Sequence, residues 1–374
     1  MPILLEKKGK WTMNKIKVMH VVSDSKFGGA GKYLVQICKY IDKNRFQIIV
    51  VVPKGSLLTT IIGQIDNINI IEIDGINAKS FSFLGLRRLV KVMKEIRPDI
   101  IHSHACLSAR VAAYLRGINK VFYTRHSLLP EIKGLKKLVK VSLSRILSNR
   151  VIAVSKAVKK NLIAEGERKE DIYLVYNGVE LPRKSYDVDK LKDKYNISKE
   201  DIIITLVGRL DPVKGQDHML KITELLKEKA EAFTVVFAGD GSNRTKLEDY
   251  AREKELPVVF LGHVNAIDEI YSLSDIIVNT SNSEALSFAA LEAFSHKKPV
   301  VAFDIDGINE VIDDGVDGYL VDFMDYEDFS EKLLKLMEDK GLRTTLGENA
   351  FEKVKTKFTV EEMVKQIENI YGGI

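Results

Sequence analysis

The sequence predicts an α/β protein built from two Rossmann-like, doubly wound domains that face a central cleft. Three observations carry this expectation. Short β-branched runs alternate with amphipathic stretches from Lys15 onward; the alternation stops over residues 178–200; it then restarts and continues almost to the end. Apolar strands separated by helices indicate a parallel sheet covered on both faces. At 374 residues and 45% hydrophobic content, the chain can fill two cores.

In the first half the strand candidates are "KIKVMHVVS" (15–23), "FQIIVVVP" (46–53), "NINIIEI" (67–73), "DIIHSHA" (99–105), "VFYTRH" (121–126) and "RVIAVS" (150–155). Residues 178–200, rich in charge with Gly and Pro, read as a linker. The second series is "DIIITLVGRL" (201–210), "AFTVVFAGDG" (232–241), "PVVFLGHV" (257–264), "DIIVNT" (275–280), "PVVAFD" (299–304) and "GYLVD" (318–322). Thr359 with Glu362 three residues on forms a capping box that opens a last helix. Residues 1–12, with the only tryptophan, Trp11, read as an extension before a natural start at Met13. The domains expected are therefore 13–180 and 181–357, with a terminal helix over 358–374.

Charge separates the halves. Residues 1–180 carry 32 basic and 14 acidic side chains, a balance of +18, whereas residues 181–374 carry 25 and 38, a balance of −13. A basic half suits nucleic acid, an anionic membrane surface or an acidic ligand. Cys38 and Cys106 sit in no metal-ligand or CxxC spacing, so a zinc site or a disulfide framework is not expected and a reducing cytosol fits. No apolar run approaches the ~18 residues of a membrane helix, and "PILL" at 2–5 is too short for a signal-peptide core.

Ligands of doubly wound domains bind beyond the carboxyl ends of the strands. After the first strand, "SDSKFGGAGKYL" (23–34) turns into a helix through Gly28, Gly29 and Gly31. Such a turn presents amides to a phosphate or is simply a tight turn; it matches neither the Walker loop nor GxGxxG. In the second domain "VGRLDPVKGQDHML" (207–220) places Arg209 and Lys214 around a Pro-containing turn. Two fixed cations suit a diphosphate, and they hold it more strongly as it leaves and gains charge. Solvated surface cations are the alternative.

The block "SNSEALSFAALEAFSHKKPVV" (281–301) carries Glu284 in a loop and Glu292 in the helix expected to start near Leu286. The amides of Leu286, Ser287 and Phe288 would form an anion-binding helix end, with Glu284 beside it. Glu292, about two turns deeper at ~1.5 Å per residue, would meet a vicinal diol such as a ribose. Without that ligand Glu284 would partner the helix dipole and Glu292 would be a solvated helix residue.

The order "GGAGKY", "VGRLDPVKG", "AGDG", "FLGHV", "SEALSFAALEA", "PVVAFDIDGINEVIDDGVDGYLV" resembles the retaining glycosyltransferases of family 4, which have the GT-B fold. The resemblance runs from about Lys15 to the last helix. It implies that Arg209 and Lys214 hold the donor diphosphate, that Glu284 contacts the transferred sugar and that Glu292 takes the ribose. It also implies a phosphate cradle at Gly29, Leu286 and Ser287, a base near Gly241, His263 and Val264, and a final helix crossing back to the first domain. Family members commonly have E-G-F-G where this chain has "EALS", so Ala285 and Ser287 replace glycines and narrow the backbone approach.

His126 follows the fifth strand, where the family often carries a histidine near the reacting carbon; a loop histidine packed at a strand end is the alternative. His102 and His104 in "HSHA" could ligate a metal only with partners not evident in the sequence, which leaves acceptor contact or capping, and His20 reads as core. "DID" (304–306) reads as a strand-end turn rather than a metal motif, and no metal or other cofactor is expected. "KGLKKLVKVSLSRILSNR" (133–150) holds six Lys/Arg and no acid, with Leu135, Leu138, Val139, Leu143, Ile146 and Leu147 at helical spacing. It suits either a helix on anionic lipid or one packed on the sheet with a solvated basic face.

The function expected is transfer of a sugar from a nucleotide-diphosphate sugar to an acceptor hydroxyl, with retention, on a lipid-linked or cell-surface glycan precursor. The setting expected is the cytoplasm, peripherally at the inner membrane face. A sugar-nucleotide epimerase and a non-catalytic nucleotide-sugar binder are the alternatives; a nucleic-acid partner and a dinucleotide dehydrogenase are disfavoured.

Overall fold

The structure, a computed structural model, describes residues 15–23, 28–76, 81–130, 134–147 and 150–373. The expected extension over 1–12 and the middle of the glycine loop, 24–27, lie outside the described residues. The chain divides into two compact units, residues 1–177 with 360–374, and residues 178–359.

In the N-terminal unit the strands are β1 (Ile16–Val22), β2 (Phe46–Pro53), β3 (Ile68–Ile73), β4 (Ile100–His104), β5 (Val121–Arg125), β6 (Arg150–Ala153) and β7 (Ile172–Leu174). Their order in the sheet is β3-β2-β1-β4-β5-β6-β7, all neighbours parallel. Between them run α1 (Gly29–Tyr40), α2 (Leu57–Ile62), α3 (Phe83–Ile96), α4 (Leu107–Leu115), α5 (Leu135–Leu147) and α6 (Lys156–Glu165). One core joins Met19, Val21, Ile49, Val51, Ile71 and Ile73 of the sheet to Leu89, Val92 and Met93 of α3. Ala109, Ala112 and Ala113 of α4 complete it, small side chains that let this helix approach closely.

The C-terminal unit repeats the plan. Its strands are β8 (Ile202–Val207), β9 (Phe233–Ala238), β10 (Val258–Gly262), β11 (Ile276–Asn279), β12 (Val300–Phe303) and β13 (Gly318–Val321), in parallel order β10-β9-β8-β11-β12-β13. Its helices are α7 (Val188–Tyr195), α8 (Gln216–Lys227), α9 (Arg244–Glu253), α10 (Ile267–Leu273), α11 (Phe288–Ser295), α12 (Tyr326–Glu338) and α13 (Lys340–Lys357). The chain then rejoins the N-terminal unit as α14 (Val360–Gly372). That helix buries Val360, Met363, Val364, Ile367 and Tyr371, a stripe at helical spacing.

Two sequence expectations need correcting. The six first-half strand candidates omit β7, a three-residue edge strand paired with β6. Residues 178–200 are not simply a linker, because α7 lies among them. Asp187 caps α7 by accepting from Lys190 N, and Asn196 ends it in the left-handed region at φ 53°. The polar run hides the helix because little more than its Leu191 and Tyr195, with Ile197 just beyond, packs on Ile203, Val236 and Leu273.

Candidate functional site

Each sheet reverses its strand order between its third and fourth strands, β1 and β4 in one and β8 and β11 in the other. A doubly wound sheet opens its ligand crevice at such a reversal, beyond the carboxyl ends of the strands. In the C-terminal unit the loops there are 208–215 and 280–287.

These two loops are stapled together. Thr280 Oγ1 donates to Gly215 O (2.7 Å), Asn282 N to Val213 O (2.8 Å) and Asn282 Nδ2 to Pro212 O (2.7 Å). Asn282 Oδ1 lies 3.0 Å from His218 Nε2, and the other ring nitrogen of His218 lies 2.7 Å from the Tyr326 hydroxyl. Asp211 accepts from Val213 N and begins the short 3-10 turn Pro212–Lys214. Gln216 Nε2 donates to Arg209 O (2.8 Å). Gly215 closes that turn at φ 63°, and a Cβ there would stand 1.9 Å from Thr280 O. Gly215→Ala is expected to destabilise the C-terminal unit by about 2–4 kcal/mol through left-handed strain and overpacking. Denaturant unfolding checks this, and a stability equal to the parent's would refute it.

The staple sets Lys214 Nζ 2.6 Å from Glu284 Oε1, with the carboxylate almost fully buried and the ammonium about a quarter exposed. Ser281 Oγ (2.9 Å) and Asn279 Nδ2 (3.3 Å) donate to the same oxygen. With three donors on Oε1, Oε2 keeps the capacity to accept from a ligand hydroxyl. Lys214 retains further donors of its own, so an anion can share the ammonium with Glu284.

The other expected residues have different surroundings. Arg209 is mostly exposed and meets Asp211 at 3.2 Å. Helix α11 begins at Phe288, not near Leu286. Ser287 is its N-cap, accepting from Ala290 N (3.2 Å) and from Asn279 Nδ2 (3.0 Å), while Leu286 is buried. The serine that replaces a family glycine therefore satisfies one helix-end amide itself, that of Ala290, which is not one of the three expected to meet an anion. Glu292 is half-buried and accepts from the Tyr271 hydroxyl of α10 at 3.1 Å. Gly241 packs on the Leu210 carbonyl, where a Cβ would stand 2.3 Å away, so packing alone accounts for this glycine. His263 is exposed and Val264 half-buried, both just beyond β10 rather than at its end.

In the N-terminal unit Gly28 is the N-cap of α1 with no side-chain cap, and Gly29 is the first helical residue. Gly28 has an extended φ of −136°, and a Cβ there would meet nothing within 4 Å among the described residues.

His126 stands half-buried just after β5, and here the structure adds what the sequence did not show. β1 and β4 pair in a register that sets His20 opposite His102, and His104 shares their face because side chains alternate along a strand. His20, His102 and His104 are fully buried and form one cluster, so His20 is the third imidazole that the sequence did not reveal. One ring nitrogen of each lies within 4.8 Å of those of the other two. His102 is also bound on both sides, by Tyr371 (2.5 Å) and Thr124 (2.6 Å). In this arrangement both ring nitrogens of His102 are taken by hydroxyls, one of which a metal ion would have to displace. Burial lowers the His20 and His126 pKa values to about 3, and burial with repulsion between imidazoles holds His102 and His104 well below 6.5. All four are neutral imidazoles near pH 7.

Asn279, Thr280, Asn282 and His218 were not singled out by the sequence. The signal for the first three was the polar run "NTSNS" at the end of an apolar strand; His218 had none.

Comparison with known proteins agrees with this layout. The family description Glycosyltransferase Family 4 matches residues 27–183, and Glycosyl transferases group 1 matches residues 187–353. A UDP-Gal:alpha-D-GlcNAc-diphosphoundecaprenol alpha-1,3-galactosyltransferase of Escherichia coli is 25% identical, covering 97% of this chain and 98% of its own. The capsular polysaccharide biosynthesis glycosyltransferase CapM of Staphylococcus aureus is 24% identical over 77% of this chain and 80% of its own. The crystal structure of Anabaena Alr3699/HepE in complex with UDP-glucose has the same fold, with a TM-score of 0.84 at 22% identity over 96% of this chain and 100% of that one. With two family descriptions spanning nearly its whole length and a two-unit Rossmann-like fold shared with solved members, the chain belongs to the group 1, family 4 glycosyltransferases.

Proposed function

We propose that this enzyme transfers a sugar from a nucleoside-diphosphate sugar to an acceptor hydroxyl with retention at the anomeric carbon. The observation that carries the reading is the Lys214–Glu284 pair, fixed on two stapled loops at the strand-order reversal of the C-terminal unit. Lys214 and Arg209 take the diphosphate, and Glu284 Oε2 accepts from a hydroxyl of the transferred sugar. Glu292 binds the ribose beside Tyr271, and Gly28 and Gly29 offer amides to the phosphates. The bond from the anomeric carbon to the diphosphate oxygen breaks as the acceptor oxygen bonds on the same face. The departing phosphate oxygen accepts the acceptor's proton. Cations and amides meet the developing charge, so no metal is needed. His126, neutral, donates to a hydroxyl of the reacting sugar.

A panel of UDP-, GDP- and ADP-sugars tests this by nucleotide release and product analysis. Released nucleotide with a new glycoside of retained configuration supports it. An epimerised nucleotide sugar without acceptor, or binding without turnover, would overturn it.

We further propose that the acceptor is lipid-linked and that the basic half rests on an anionic membrane. Among the described residues no helix is long and apolar enough to cross a membrane. Instead, Tyr114, Leu115, Leu143 and Ile146 are exposed large apolar side chains on α4 and α5, and Tyr114, Ile118, Arg145 and Ile146 line one pocket. Leu147 of the expected apolar stripe is buried, and the side chains of Leu135, Leu138 and Val139 lie outside the described ones. Apolar groups among cations suit an anionic interface. Vesicles rich in phosphatidylglycerol should sediment the protein, vesicles of phosphatidylcholine should not, and Ile146→Asp should weaken sedimentation about 10-fold. Equal sedimentation with both vesicle types would exclude the electrostatic part.

A further inference from the structure

The three imidazoles of His20, His104 and His126 form a ladder. His20 Nδ1 lies 3.1 Å from His104 Nε2, and His104 Nδ1 lies 3.2 Å from His126 Nε2. Ring centroids are 5.4 and 5.5 Å apart with planes tilted by 17° and 25°, so each nitrogen meets the next edge to edge, nearly in plane. That is the direction of an N–H···N hydrogen bond. Beyond His20 the ladder stops, because His20 Nε2 is buried with no partner among the described residues.

A neutral imidazole has one donor nitrogen and one acceptor nitrogen. If all three rings are neutral and both bonds are made, the three tautomers cannot be chosen independently. Either every ring donates toward His126, or every ring donates toward His20. Donation toward His20 would leave a buried N–H at His20 Nε2 with nothing to receive it. Donation toward His126 leaves only a bare lone pair there, the milder defect, since orphaned buried donors are rarer than under-used acceptors. His102 stacks on His104 at 4.4 Å but cannot divert the ladder, since Tyr371 and Thr124 occupy both of its nitrogens.

We infer that His104, backed by His20, is a positioning residue for His126: it donates Nδ1–H to His126 Nε2 and so holds the proton of His126 on Nδ1. The remaining polar edge of His126 is then a hydrogen-bond donor at all times. This deepens, and rests on, the reading of His126 as the group that meets the sugar, because an Nε2–H tautomer would present a lone pair there and could not donate to an oxygen with no proton to give.

The test uses the full-length chain with ¹⁵N-labelled histidine and long-range ¹H–¹⁵N correlation, which distinguishes the two neutral tautomers. His126 should be a single Nδ1–H form in the parent. In His104→Leu, with the donor gone, it should move toward Nε2–H, the form that unconstrained histidine favours. Turnover of the best donor among UDP-glucose, UDP-galactose and UDP-N-acetylglucosamine should fall roughly 10- to 100-fold in kcat with donor KM little changed. Loss of stability alone would not shift a tautomer. An Nε2–H form in the parent overturns the inference, and so does an unchanged Nδ1–H form in folded His104→Leu. If that variant does not fold, the parent's tautomer decides. A tautomer that shifts as expected with unchanged kcat leaves the ladder standing and removes His126 from the transfer step, so the two failures are separable.

Discussion

Lys214→Ala and Glu284→Gln are each expected to lower kcat for sugar transfer by roughly 100- to 1,000-fold, the scale seen when a group facing transition-state charge is removed. Lys214 would neutralise charge that grows on the leaving diphosphate, so its loss should weaken the transition state more than the bound donor. Glu284 shares that ammonium at 2.6 Å, and Ser281 and Asn279 hold its carboxylate in place. A purely structural pair would also lose activity when broken, because one charge would be left nearly buried. The double variant Lys214→Met, Glu284→Leu separates the two cases. Apolar replacement of both partners restores much of the lost stability but supplies neither cation nor acceptor. Recovered unfolding free energy with transfer still depressed at least 100-fold would assign the pair to chemistry. Parental turnover in either single variant would dismiss the assignment.

The second large effect is acid unfolding of the N-terminal unit. His20, His102, His104 and His126 all have folded-state pKa values below the ordinary 6.5, for the single dominant cause of burial. None has a carboxylate partner among the described residues. Below pH 6.5 the unfolded chain binds protons that the folded unit refuses. Stability is therefore complete above pH 6.5 and is lost as the pH falls from there toward about 3. Each refused proton contributes about 1.4 kcal/mol per pH unit. Four together contribute up to about 5 kcal/mol per pH unit, with His126, the least buried of them, the weakest member. Against a domain stability of about 5–15 kcal/mol, the unit should unfold one to three pH units below 6.5. Hydrogen exchange read by mass spectrometry would follow the two units separately, and His20→Phe should reduce the slope by about a quarter. A stability of the N-terminal unit that stays level between pH 7 and pH 5 would contradict the argument.

The two parallel sheets were readable because each strand is a local apolar run and each helix a local stripe of period 3.6. The reading of 178–200 as a linker missed α7 because nothing within those residues shows that Leu191 has Ile203, Val236 and Leu273 to pack against. For α11 the helix was legible and its first turn was not. Ser287 looked like the loss of a family glycine and proved to be a cap whose second partner, Asn279, sits at the end of the preceding strand.

By itself the sequence determined most of the strand and helix series, with β7 and α7 missed, the division into two units, and which charged residues stand after which strands. Those properties follow from side-chain periodicity and turn chemistry within a dozen residues. Only the tertiary structure decided that Lys214 grips Glu284 across 70 positions of chain, that Asn282 and Thr280 staple two loops, and that His20 meets His104 across 84. Contacts at such separations are set by strand order and register, which depend on how whole sheets close over their cores and leave no mark on any short stretch of residues.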